Sequence, residues 1–255
     1  VYKRQVLRLG TDNFRWICGD DNSGLWLRKK AEEMDLKVWV KSSTDQLHNI
    51  AVQGPKSREI LSKVVWTAPA QPSLEELAWV RFLIGRSGDY DGIPILGSRT
   101  GYTGELGYEI YTSPEFIKEI WEKLIKEGSQ HGLMPAGLGC RDTLRLEMNY
   151  LLYGNDIDQK TNPIEAGLGW ITKFDKGDFI GRESIMQKKD KISKRIFCFS
   201  MLDRAIPRRG CDIIYDDKSI GNVTSGTMSP MIKNGIGIGS VSYTHLRAHE
   251  TPEHR

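Results

Sequence analysis

The sequence predicts an α+β protein in which strands and helices are mixed first and an all-β segment comes last. Three observations point there. The run VLRLGTDNFRWICG alternates apolar and polar residues on either side of Gly10-Thr11-Asp12-Asn13, the pattern of a hairpin. Residues 113–128 carry a complete helix signature. From Ile196 to Val241 the chain reads as β-rich.

Taken in order, the hairpin is followed by a polar helix from about Ser23 to Met34 and then by a strand, KVWVKSS. QLHNIAVQGP is a strand closed by Gly54-Pro55, and residues 57–65 are helical. Ser73 with Glu76 three residues on is a capping box for a short helix. AWVRFLIG and the short strand IPILGSR are joined by the turn-rich RSGDYDG. Ser113 is the N-cap of the clearest helix and Pro114 its first residue; the helix ends before Gly128. Phe116, Ile117, Ile120, Trp121, Leu124 and Ile125 make its apolar stripe, and Glu119/Lys123 and Glu122/Lys126 pair on its wet face. GLGWITKF is expected as a strand. KKDKISKR, with five basic residues in eight, reads as a linker between lobes, a docking patch for an acidic partner being the other reading.

Composition bounds the function. With 39% hydrophobic and 27% charged residues in 255, the chain is of ordinary globular type. Lys+Arg 36 against Asp+Glu 33 gives +3, too small and too evenly spread to argue for a nucleic-acid partner. Cys18, Cys140, Cys198 and Cys211 form no C-x-x-C pair, so a reducing compartment is expected. No apolar run approaches the roughly 18 residues of a membrane span. His245 and His249 have the i, i+4 spacing of a metal pair, but Pro252 follows closely and no third ligand is evident, so no metal is expected. Residues 1–5 and 242–255 are expected to be non-native tails.

Two stretches carry chemistry. In SRTGYTGELGYEI, residues 98–110, Glu109 stands where an apolar residue belongs. In AGLGCRDTLRLEMNYLLYGNDID, residues 136–158, a helix puts Leu138, Arg141, Arg145, Met148 and Leu152 along one face, so two guanidiniums share an apolar stripe. A desolvated guanidinium needs an acceptor. Two readings are open: an internal ion-pair network with Asp142 or Glu147, or a ligand carboxylate or heterocycle carbonyl.

With TNPIEAGLGWITKFDKGDFIGRES third in line, and HNIAVQGPKSREIL and IGNVTSGTMSP in agreement, these motifs resemble the T-protein family of the glycine cleavage system, tetrahydrofolate-dependent aminomethyltransferases. The resemblance covers nearly all of residues 6–241. It implies a multidomain folate-binding fold, mixed sheet-and-helix domains plus a C-terminal β-barrel-like domain, truncated here at both ends. The implied parts are 6–48 in a second α+β domain, 49–155 as the folate-binding domain, 156–188 returning to the second domain, and 189–241 as a partial C-terminal β domain. It also implies that Glu109 reads the pterin ring, that Tyr102 and Tyr150 lie near the folate cleft, and that Arg141 is the folate-site arginine; Arg145 is assigned to bracing the helix. The co-substrate is tetrahydrofolate, the partner is the lipoylated H protein, and the compartment is the cytoplasm or the mitochondrial matrix.

The match departs from the family in two places. The family's catalytic aspartate falls within VYKRQ, around Lys3, where there is no acid, so no catalytic residue is assigned and little or no transferase activity is expected. At ICGDDN an Asn that faces the folate in the family is replaced by Cys18 or Gly19. The alternatives are the folate domain of a dimethylglycine or sarcosine dehydrogenase or of a folate-dependent demethylase, or a non-catalytic folate-binding module. TNPIEAGLGWITKF and the lack of a G-x-G-x-x-G segment favour the stand-alone enzyme.

Overall fold

The first alternating run forms a two-stranded antiparallel hairpin, β1 (Gln5–Arg8) with β2 (Phe14–Ile17), in the computed structural model, which describes residues 5–20 and 22–242. Lys3 and the histidine pair of the C-terminal tail lie outside the described residues. The chain divides into two units between Arg141 and Asp142.

In the first unit the hairpin is followed by α1 (Asn22–Glu33), β3 (His48–Gln53), α2 (Ser57–Leu61), β4 (Val65–Trp66), β5 (Phe82–Ser87), β6 (Ile93–Ser98), β7 (Gly107–Thr112) and α3 (Ile117–Gly128). Strands β3 to β7 make one antiparallel sheet in the order β3-β7-β6-β5-β4. Successive side chains of a strand point to opposite faces, so β7 serves two cores at once. Tyr108 and Ile110 enter the main core with Ile120 and Leu124 of α3 and Ile50 and Val52 of β3. Tyr111 faces the other way and packs with Leu7 of β1 and Leu96 of β6. The hairpin therefore covers the face of the sheet that α3 leaves open.

Helix α4 (Leu138–Glu147) runs across the division. The second unit then holds α5 (Arg182–Lys188) and the strands β8 (Lys194–Ser200), β9 (Asp212–Tyr215), β10 (Lys218–Ser229) and β11 (Asn234–Ser242), an antiparallel sheet of order β8-β11-β10-β9. Its core gathers Leu146, Leu151, Ala166, Leu168 and Ile238.

Several local expectations are corrected. KVWVKSS is not a strand: Val38 and Trp39 are both exposed, Trp39 at 87%, so the alternation buries no face. GLGWITKF is a 3₁₀ turn at Gly169–Ile171, because Gly167 takes φ +71° and bends the backbone before a ladder can form. The capping box at Ser73 exists, with Ser73 N donating to Glu76 Oε2 at 3.0 Å and Glu76 N to Ser73 Oγ at 3.2 Å, but it closes turns and no helix follows. On α4 the expected stripe is not a buried one: Leu138 is 81% exposed and Met148 half-exposed, while Arg145 is buried.

Candidate functional site

The geometry around Glu109 follows from register. On β7 it pairs with Ala51 of β3 and Ser98 of β6, so Thr100, two residues past Ser98, reaches its carboxylate. Thr100 Oγ1 donates to Glu109 Oε2 at 2.6 Å, and the hydroxyls of Ser98 and Thr100 stand 2.7 Å apart. Gln5 on the inward face of β1 donates from Nε2 to the same oxygen at 2.6 Å. An acid can therefore occupy a strand interior here because neutral donors meet it. Beside it opens a pocket of about 200 Å³ lined by Gln5, Ile17, Cys18, Gly19, Asn49, Gly101, Glu109 and Tyr111. This is below the roughly 300–1,000 Å³ of sites for drug-sized ligands, and it suits a single flat ring system.

The glycine-rich loop is fixed from beneath by Gln53. Gln53 Nε2 donates to the carbonyls of Thr100 and Tyr108, each at 3.2 Å, and Gln53 Oε1 accepts from Thr103 Oγ1 at 3.1 Å. A Cβ on Gly101 or Gly107 would stand 2.0 or 2.1 Å from Gln53 Oε1, so a side chain at either position displaces the end of Gln53 from these hydrogen bonds.

Tyr111 lies two residues beyond Glu109 on the same face of β7. Its ring is buried, and its hydroxyl has no hydrogen-bond partner among the described residues. Burial first, and the Glu109 charge second, push its phenol above the ordinary tyrosine range. Ser98 and Asn49 pull the other way without closing a hydrogen bond to it. Tyr108, on the opposite face, is the contrast: its hydroxyl accepts from Arg58 Nε at 2.9 Å and donates to the Leu74 carbonyl at 3.3 Å.

The other expected residues fall elsewhere. Tyr102 is buried, with the Arg141 guanidinium over its ring at 5.1 Å, a cation–π pair; neither is among the described residues that line the Glu109 pocket. Tyr150 belongs to the second unit, where its carbonyl accepts from Arg145 Nη1 at 3.1 Å. Arg145, 1% exposed, is held by Asp142 Oδ1 and Asp156 Oδ2 at 2.8 and 2.7 Å and by Ser225 Oγ at 2.8 Å. Glu147, the other acid expected for this network, instead accepts from Ser229 Oγ at 2.5 Å. Sequence reasoning missed Gln5, Tyr111, Gln53 and Asp156. Only Tyr111 had a legible signal, its i+2 spacing from Glu109.

Among the described residues no group of His, Cys, Asp and Glu is arranged to hold a metal, and no helix is long and apolar enough to cross a membrane.

Comparison with known proteins places the chain among relatives of one family. Residues 5–176 match the family model "GCVT N-terminal domain" and residues 194–253 match "Glycine cleavage T-protein C-terminal barrel domain". A trimethylamine-oxide aldolase of Ruegeria pomeroyi is 44% identical over 94% of this chain and 31% of its own length. An aminomethyltransferase of Halothermothrix orenii is 44% identical over 93% of this chain and 65% of its own. The crystal structure of glycine cleavage system aminomethyltransferase T from Bartonella henselae superposes with a TM-score of 0.75 at 25% identity, covering 94% of this chain and 63% of that one. The chain thus spans less than two thirds of the length of each of these relatives. On the family match across residues 5–176 and the shared fold, the chain belongs to the glycine cleavage T-protein (GCVT) family.

Proposed function

We propose that the chain carries the pterin-reading part of an aminomethyltransferase of the glycine cleavage system. The substrates in this reading are tetrahydrofolate and the aminomethyl group borne on the lipoyl arm of the H protein. Folate N5 attacks the methylene carbon as the amine leaves as ammonia, and folate N10 then closes on the same carbon as the C–S bond breaks; the two N–H protons go to the ammonia and to the thiol, which leaves the arm as dihydrolipoyl. Holding N5 in line with that carbon is a large share of such catalysis. The compartment is that of the H protein, the cytoplasm or the mitochondrial matrix.

The observation that carries the proposal is the half-buried Glu109 carboxylate at the wall of a ring-sized pocket. An aminopyrimidinone edge offers a ring N–H and an exocyclic amine side by side, and one carboxylate accepts both in charge-assisted bonds. The Gln5 amide already supplies one such donor. In the same reading Arg141, with Tyr102 beneath it, contacts the remainder of the folate.

A second reading has its own support. The aldolase relative is matched over only 31% of its length, so this fold also occurs as a part of larger proteins. The chain would then be the folate domain of a dimethylglycine or sarcosine dehydrogenase or of a folate-dependent demethylase, or a folate-binding module without transfer activity. Calorimetric titration with tetrahydrofolate tests what these readings share: saturable binding supports them, and none refutes them. Tetrahydrofolate-dependent ammonia release from aminomethylated lipoyl H protein supports the first; one-carbon transfer from dimethylglycine instead supports the second.

A further inference from the structure

We propose that Tyr111 is a second reader of the ligand edge, its hydroxyl donating to the carbonyl next to the N–H that Glu109 takes, so that the pocket selects 4-oxo over 4-amino pteridines. The inference rests on the folate reading of the Glu109 site.

Two of the residues that line this pocket carry a buried polar atom without a hydrogen-bond partner among the described residues: the Tyr111 hydroxyl and Gln5 Oε1. Buried polar groups are nearly always satisfied, so two orphans in one pocket call for a ligand. Tyr108 on the same strand satisfies its hydroxyl twice, so the fold can supply partners to a buried phenol where none is needed for a ligand. The Gln5 amide also shows the pattern the wall accepts. Its Nε2 donates to Glu109 while its Oε1 is not met by the Tyr111 hydroxyl, so the amide fills only the Glu109 half of the edge. The i, i+2 placement on β7 sets the two readers side by side, Glu109 to accept and Tyr111 to donate. The phenol stays protonated at neutral pH and so keeps its donor.

Replacing the ligand carbonyl with an amine removes the acceptor for Tyr111 and also the ring N–H that Glu109 takes, mismatches that polar sites reject strongly, so it is the comparison with Tyr111→Phe that isolates the hydroxyl. Calorimetric titration of the chain with 2-amino-4-oxo-6-methylpteridine and with its 2,4-diamino counterpart reads this out. The wild type should prefer the 4-oxo compound. Tyr111→Phe should weaken the 4-oxo compound about five- to tenfold and leave the diamino compound unchanged. The apo melting temperature of Tyr111→Phe should hold or rise, since an unsatisfied hydroxyl is lost, while the ligand-induced rise shrinks. A drop in apo melting temperature, or 4-oxo binding that needs Glu109 but is indifferent to Tyr111→Phe, overturns the role of Tyr111 and leaves the Glu109 site standing. No 4-oxo binding by the wild type, or binding indifferent to Glu109→Ala, overturns both.

Discussion

Asp156→Ala should be among the most damaging single changes in the second unit. Arg145 is buried, and its counter-charges are Asp156, whose side chain is fully buried, and Asp142, whose side chain is 49% exposed. Asp156 also accepts from Leu152 N at 2.8 Å and Thr224 Oγ1 at 2.5 Å, tying the 152–156 loop to β10. Removing it leaves a guanidinium without its dry partner and a backbone N–H without its acceptor, while the Thr224 hydroxyl keeps only the Ile238 carbonyl at 3.1 Å. Breaking a buried pair from one side costs about 3–5 kcal/mol. Asp142→Ala removes a half-exposed partner and should cost about 1 kcal/mol or less. Urea titration followed by hydrogen exchange on peptides covering residues 218–242 reads the stability of β10 and β11 directly. A loss below about 1 kcal/mol for Asp156→Ala, or equal losses for the two variants, would refute the assignment of Asp156 as the dominant partner.

Three further outcomes concern the first unit. Gly107→Ala brings a Cβ to 2.1 Å from Gln53 Oε1, displaces the end of that side chain from its hydrogen bonds and should destabilise by about 0.5–1.5 kcal/mol, with raised exchange in residues 99–106; unchanged exchange there would contradict the role of Gln53. Gln5→Ala removes the amide that occupies Glu109 Oε2 and should tighten pterin binding in calorimetry; weaker binding would show the amide to be part of the site. The raised Tyr111 phenol makes stability fall with pH. The unfolded phenol ionises near about 10 while the folded one stays neutral, so stability is complete below about pH 10 and is lost above it. Urea midpoints from about pH 9 to 11 should fall more steeply for the wild type than for Tyr111→Phe, and equal slopes would contradict the assignment.

Much of this was legible in the sequence wherever one local pattern decided the outcome. The hairpin, the α3 stripe and the β-rich end rest on periodicities of 2 and 3.6, and each appears where the pattern lies. KVWVKSS failed because alternation needs a partner strand and a buried face, and neither is present around Trp39. GLGWITKF failed because Gly167 takes a left-handed turn that an apolar run does not advertise. Arg145 as a structural residue with Asp142 could be read from helical spacing, but Asp156 could not, since it joins the network from a loop eleven residues on. Glu109 stood out as an acid among apolar neighbours. Gln5 and Gln53 were silent, because their partners lie 104 and 55 residues away.

The assignment of Glu109 to the pterin edge is tested most directly by calorimetric titration of tetrahydrofolate into the wild-type chain and Glu109→Ala. Loss of the charge-assisted contact should weaken binding by about 1.5–3 kcal/mol, tenfold or more. Equal affinity of the two proteins would remove Glu109 from the site and the folate reading with it.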